Sequence, residues 1–130
     1  MMGIRVEWDD EQHTIIRYIF DRTWEWEDFF QAKATAYAMI EAAQRKISVI
    51  MDPPRDTVMP RNMLTHFGSA MRKKHPNTAV VVVVIRTQFL RSMANLLMRV
   101  SNTAKDSLCL VATLEEAREI ARERLKQPTP

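Results

Sequence analysis

Glycine and cysteine are nearly absent from this chain. Among 130 residues only Gly3 and Gly68 are glycine. A phosphate-cradling loop needs several glycines close together, so neither a Walker-type loop nor a dinucleotide-binding turn can be built here. Cys109 is the single cysteine. It excludes an internal disulfide framework and fits a reducing cytoplasm. His13, His66 and His75 fall on a strand, a helix and a turn, and no Cys/His cluster has zinc spacing, so no metal site is expected. No apolar stretch approaches the roughly 18 residues of a membrane helix. The first residues, Met1 to Trp8, lack the apolar core of a signal peptide. The expectation is a soluble cytoplasmic protein without integral membrane association. A net charge of +3 is mild and does not by itself argue for nucleic acid.

What the chain has in abundance is β-branched and sulfur-bearing side chains. Val80 to Ile85 is an unbroken β-branched run. Branching at Cβ suits a pleated backbone, and the lack of alternation predicts burial on both faces, as in the centre of a parallel sheet. Nine methionines are many for this length. Met39, Met63, Met71, Met93 and Met98 fall in predicted helices. Methionine fills irregular core gaps and also suits an adaptable ligand pocket or partner face.

Ile4, Val6 and Trp8 alternate with Arg5 and Glu7, which predicts a half-buried strand. A polar turn at 9–12 leads to a second strand from His13 to Phe20, antiparallel to the first. Thr23 is placed to cap a helix running to about Gln44, with Trp26, Phe30, Tyr37 and Ile40 on one face. Ile47 to Met51 reads as a third strand, ended by Asp52-Pro53-Pro54. Pro60 suits the first position of a second helix that ends near Lys74. The valine run is the fourth strand, and Thr87 caps the third helix. Ser107 to Ala112 is the fifth strand. Thr113-Leu114-Glu115-Glu116 is a capping box opening the last helix, and 127–130 is a tail. The order β-β-α-β-α-β-α-β-α predicts a single α/β domain, ordered over about 3–126. Its five-stranded sheet is mostly parallel, with an antiparallel edge strand. Helices wound in one direction would share one side of the sheet. The other face of the valine strand would then need a cover, supplied by a dimer partner or by a doubly wound helix.

In open α/β sheets, ligands bind outside the carboxyl ends of the strands. That rule points to Asp52, Arg55, Thr57, Arg61, Arg86 and Thr87 as ligand-binding candidates, with the arginines offering forked contacts to an anion. The competing reading makes Asp52 and Arg86 a structural ion pair across the sheet edge. Arg72-Lys73-Lys74-His75 is the sharpest basic run, and cations at a helix end interact favourably with its dipole. Cys109, in a buried strand with no cation beside it in sequence, reads as an inert thiol. No acid, base and nucleophile converge, so neither an enzyme nor a cofactor is expected. Trp24, Trp26 and Phe29 put aromatic surface on more than one side of their helix. They are candidate interface residues for a homodimer or another protein.

The order of elements resembles the STAS domain of anti-sigma-factor antagonists and, more closely, the SpoIIAA-like family of stand-alone bacterial proteins. The residues that carry the resemblance are Thr23-Trp24-Glu25-Trp26-Glu27, Val49-Ile50-Met51-Asp52, Lys74-His75-Pro76-Asn77 and Thr113-Leu114-Glu115-Glu116-Ala117. The resemblance implies a non-enzymatic regulatory module that binds a protein partner. It also implies a phosphorylated serine at the start of the helix after the third strand. In the matching stretch 52–60, Asp52 is followed by proline and Thr57 is the only hydroxyl. Some relatives hold small or lipid-like ligands, which adds a carrier of a small anionic or lipid-like ligand as the alternative.

Overall fold

The computed structural model describes residues 3–72, 74–100 and 108–126. Lys73, Ser107 as the expected start of the fifth strand, and the tail 127–130 fall outside them, as do the side chains of Leu64, Arg72 and Val100. Strands β1 (Ile4–Trp8), β2 (Ile15–Phe20), β3 (Ile47–Asp52), β4 (Thr78–Val84) and β5 (Leu108–Val111) form one sheet in that spatial order. β1 and β2 are antiparallel, and every later neighbour is parallel. Helices α1 (Trp26–Ala43), α2 (Met63–Arg72), α3 (Gln88–Val100) and α4 (Leu114–Lys126) follow β2, β3, β4 and β5 in turn. This is the α/β order that the sequence predicts.

Local signals set several boundaries. The Asp10 carboxylate accepts the backbone N–H of Thr14 at 2.8 Å and of Ile15 at 3.0 Å, closing the hairpin turn. The Leu90 N–H donates to Thr87 Oγ1 at 3.1 Å, so Thr87 caps α3 as expected. The Glu116 N–H donates to Thr113 Oγ1 at 3.1 Å, and the Thr113 N–H donates back to Glu116 Oε1 at 3.1 Å, which completes the expected capping box.

Two helix starts differ from expectation. The N-cap of α1 is Glu25, not Thr23. Thr23 is held extended in a bridge to Val58, and the Glu25 N–H donates to Asp28 Oδ2 at 2.9 Å. α2 begins at Met63, not Pro60, because Asn62 is left-handed at φ 62° and breaks the helical path. Asparagine tolerates that conformation better than most residues.

The two sheet faces are covered differently. Ile16, Tyr18, Phe20, Val49, Met51 and Val81 pack against α1 and α2. α3 lies on the same side, with Leu90, Met93 and Leu97 facing Met51 and Val83 across a cavity. The other face, Ile15, Ile50, Val80, Val82, Val84 and Val111, packs against α4. The cover that the valine run requires is therefore internal. Ala117 and Ala121 are completely buried and let α4 lie close on the central strands. Ser48 Oγ donates to the Ala121 carbonyl at 2.8 Å, fixing the height of the helix over β3.

A larger side chain at that contact has nowhere to go. Ala121→Leu should destabilise the fold by about 1–3 kcal/mol through overpacking. A lower urea midpoint with an unchanged slope would show it; an unchanged midpoint would refute the close contact.

Candidate functional site

The polar residues expected to form a ligand site are brought together only in part, and as structure. Asp52 is buried at the end of β3 on the α4 face. Arg17 of β2 donates to Asp52 Oδ2 through Nε at 3.0 Å and through Nη2, while Arg86 Nη1 donates to Asp52 Oδ1. Arg86 also reaches the Pro53 carbonyl at 2.7 Å. The network continues to Asp9, which accepts both Nε and Nη2 of Arg118 at 2.9 Å. Hydrogen bonds to Asp9 push the Arg118 guanidinium up from its ordinary value against a smaller opposing effect of burial. Three guanidinium groups thus share two buried carboxylates. Asp52 and Arg86 form the ion pair that the sequence allowed as the competing reading.

Arg55, Thr57 and Thr87 also make hydrogen bonds within the protein, whereas the Arg61 side chain is exposed. Arg55 Nη1 donates to the Arg86 carbonyl at 3.1 Å. Thr57 Oγ1 accepts the Trp24 indole N–H at 3.2 Å. The Arg61 carbonyl accepts the Trp26 indole N–H at 3.0 Å, while its side chain is exposed. Thr87 serves as the α3 cap.

The tryptophans are also placed differently from the interface reading. Trp24 and Trp26 are 8% and 9% exposed, and Phe29 is 2% exposed. All three point into the core, whereas Phe30, expected on the inner face, is 37% exposed. Residues three and four apart both share a helix face with Trp26. Both rings touch Trp26, but Phe29 also meets Tyr18 and Phe20 of the sheet at 6.0 and 6.4 Å, whereas Phe30 meets His66.

Between the sheet and α1, α2 and α3 lies an apolar cavity of about 110 Å³. Its walls carry Met51, Met59, Met63, Met71 and Met93, with Trp24 and Trp26 at the end nearest the strand carboxyl termini. A second chamber of about 40 Å³ adjoins it and shares the walls Phe29, Met51, Met71 and Leu108. This chamber has a polar end built from Tyr18, Lys33, Tyr37, Lys74 and Thr78. The methionine content was the sequence signal for the cavity. Arg17, Asp9 and Arg118 gave none, because their partners are distant in the chain.

The three histidines and the cysteine lie apart in the fold. His13 stacks on Trp8 at 4.7 Å, and His66 lies 5.5 Å from the Trp26 ring. His75 Nδ1 accepts the Asn77 N–H at 3.0 Å, leaving Nε2 to face Glu41 at 3.1 Å. Cys109 is half-buried, not enclosed, and the fold brings the Arg124 guanidinium to 3.9 Å from its sulfur. No group of acidic, histidine or cysteine side chains is placed to hold a metal ion among the described residues. No helix among them is long and apolar enough to cross a membrane.

Comparison with protein-family models, with curated proteins and with solved structures finds no match to this chain.

Removing the shared carboxylate tests the role of the network. Asp52→Ala should cost about 3 kcal/mol, the low end for a broken buried pair, since both arginines retain some contact with water. Urea denaturation measures it; a loss below about 0.5 kcal/mol, as for an ordinary surface substitution, would remove Asp52 from the framework.

Proposed function

We propose that this chain is a non-enzymatic binding module that carries a small apolar or lipid-like ligand in the methionine-walled cavity. The observation that supports it is the cavity of about 110 Å³ with almost wholly apolar walls. Close-packed interiors leave few voids larger than a water molecule. Dry apolar cavities of about 150 Å³ take up benzene-sized molecules. The walls are also adaptable, because methionine rotates about three side-chain bonds and can reshape the space around different occupants. The anionic variant of the carrier reading at the strand carboxyl ends loses its support, since Asp52 and backbone carbonyls engage Arg86 and Arg55.

The regulatory reading implied by the STAS and SpoIIAA-like resemblance rests on a separate observation. Phe89 and Leu96 are 68% and 49% exposed and lie seven residues apart on α3, so they share its outer face. Those two side chains, and not the tryptophans, are the apolar surface that a protein partner or a second copy of the chain would cover. α3 also walls the cavity, so partner contact and ligand occupancy would act on one helix.

Benzene is the first probe. At ~100 times its Kd a ligand specific for the native state adds about 2.7 kcal/mol of stability, so Tm should rise by several degrees. Ala94→Phe, which fills the cavity from α3, should abolish the rise without lowering Tm. No rise in the unsubstituted protein sinks the carrier reading. For the second reading, Phe89→Ser should shift a dimer to monomer in sedimentation equilibrium; a distribution unchanged by the substitution excludes that face.

A further inference from the structure

The two chambers differ in chemistry, and the difference gives a ligand in them a direction. The large chamber is apolar and ends at the two tryptophans. The small one places a cation and hydroxyls at its opposite end. Lys33 projects from the middle of α1, half-buried, with Nζ 2.9 Å from the Ala70 carbonyl and 5.5 Å from the centre of the Tyr37 ring. Among the described residues no carboxylate pairs with it. A partly buried ammonium without an opposite charge is costly, and a carbonyl dipole and a ring face compensate it only in part. Burial accordingly pushes the Lys33 amine down from its ordinary value.

Tyr18 faces the same chamber. It is 2% exposed, with its ring against Phe20 and Phe29. Burial pushes the phenol up, so it stays neutral and able to donate. Lys74 stands exposed at the rim. A neutral hydroxyl able to donate, an ammonium and a second cation at the mouth offer donors and positive charge with no carboxylate among the chamber's lining residues. That set matches an anion small enough for a chamber of about 40 Å³.

Resting on the carrier reading, we propose that the occupant is a straight-chain carboxylic acid of medium length. Its carboxylate sits between Lys33 and the Tyr18 hydroxyl, and its chain runs along the sheet toward Trp24 and Trp26. A helix rises about 1.5 Å per residue, so Lys33 and Trp26 are roughly 10 Å apart along α1, which suits a chain of about eight carbons. The carboxylate would supply the counter-charge that Lys33 lacks, and the methionines would close around the chain.

Octanoate carrying bromine tests both the class and the direction, because bromine quenches a tryptophan that it touches. Trp24 and Trp26 line the far chamber, whereas Trp8 sits on β1 against His13 and gives a constant background. Octanoate brominated on its terminal carbon should quench emission, and octanoate brominated beside the carboxylate should bind with little quenching. Lys33→Met, of similar length but uncharged, should weaken octanoate about tenfold and leave octanol unchanged. Retained octanol binding also shows that the variant is folded, and Tyr18→Phe should shift octanoate in the same direction. Equal quenching by both bromo acids, or equal loss of octanoate and octanol, would overturn the head-group assignment while the cavity still binds. No binding of acid or alcohol, together with no thermal response to benzene, would overturn the carrier reading and this inference with it.

Discussion

The contact of Ala117 and Ala121 with the central strands is the constraint on which the rest of the molecule depends. Successive parallel units wound in one direction place α1, α2 and α3 on one side of the sheet. That leaves Ile50, Val80, Val82 and Val84 facing outward on the other. Exposing those side chains would forfeit roughly 1.5–3 kcal/mol each. The last helix removes the problem by crossing to the bare face, and it fits there because its two contact residues are alanines. Arg118 then ties the helix to Asp9 in the hairpin turn, and Ser48 holds it at the Ala121 carbonyl. One helix thus closes the second layer and positions the buried ion network.

The two layers have opposite mechanical character. On the α4 side the contacts are between β-branched side chains and alanines. Such side chains have few rotamers, so that layer is close-packed and stiff. On the other side, methionines and aromatic rings join β-branched residues such as Ile16, Val49 and Val81. Tyr18, Phe20, Trp24, Trp26 and Phe29 form a continuous set of ring contacts with centroids 5.1–6.5 Å apart, anchoring α1. Beyond those rings, α2 and α3 meet the sheet through flexible side chains around a void. Side chains with few rotamers thus fill the α4 layer, and flexible methionines surround the void in the other.

The fold was legible in the sequence wherever the cause was local. The valine run, the Thr87 cap and the Thr113–Glu116 box depend on residues within a few positions of each other. The start of α1 depends instead on Thr23 pairing with Val58. The inward turn of Phe29 in place of Phe30 depends on which of two adjacent faces meets the sheet, and periodicity alone does not separate positions three and four apart. The candidate site shows the same division. The pairing of Asp52 with Arg86 follows from two neighbouring parallel strands ending side by side. Arg17 on β2 and Arg118 on α4 carry no local mark of their acidic partners. The methionine excess was visible as composition, but its concentration around one cavity is a property of the packing.

Charge compensation makes Asp52, Arg17 and Arg86 at the strand carboxyl ends a structural ion network. An arginine binds an incoming anion well when its own charge is unsatisfied. Arg86 already donates to Asp52 and to the Pro53 carbonyl, and Arg17 to Asp52. An anion arriving there would compete with a buried carboxylate whose geometry is fixed by the sheet, and displacing it would leave that carboxylate unpaired. Lys33 is the contrasting case. It lies beside an apolar channel with a carbonyl and a ring face as neighbours, and no carboxylate has to be displaced. The rule that ligands gather at strand carboxyl ends rests on helix amino termini and loops being free to bind. In this chain Thr87 and Thr113 cap α3 and α4, and Asp52 neutralises Arg17 and Arg86 from within, whereas Lys33 faces the cavity at the other end of the sheet with no carboxylate partner among the described residues.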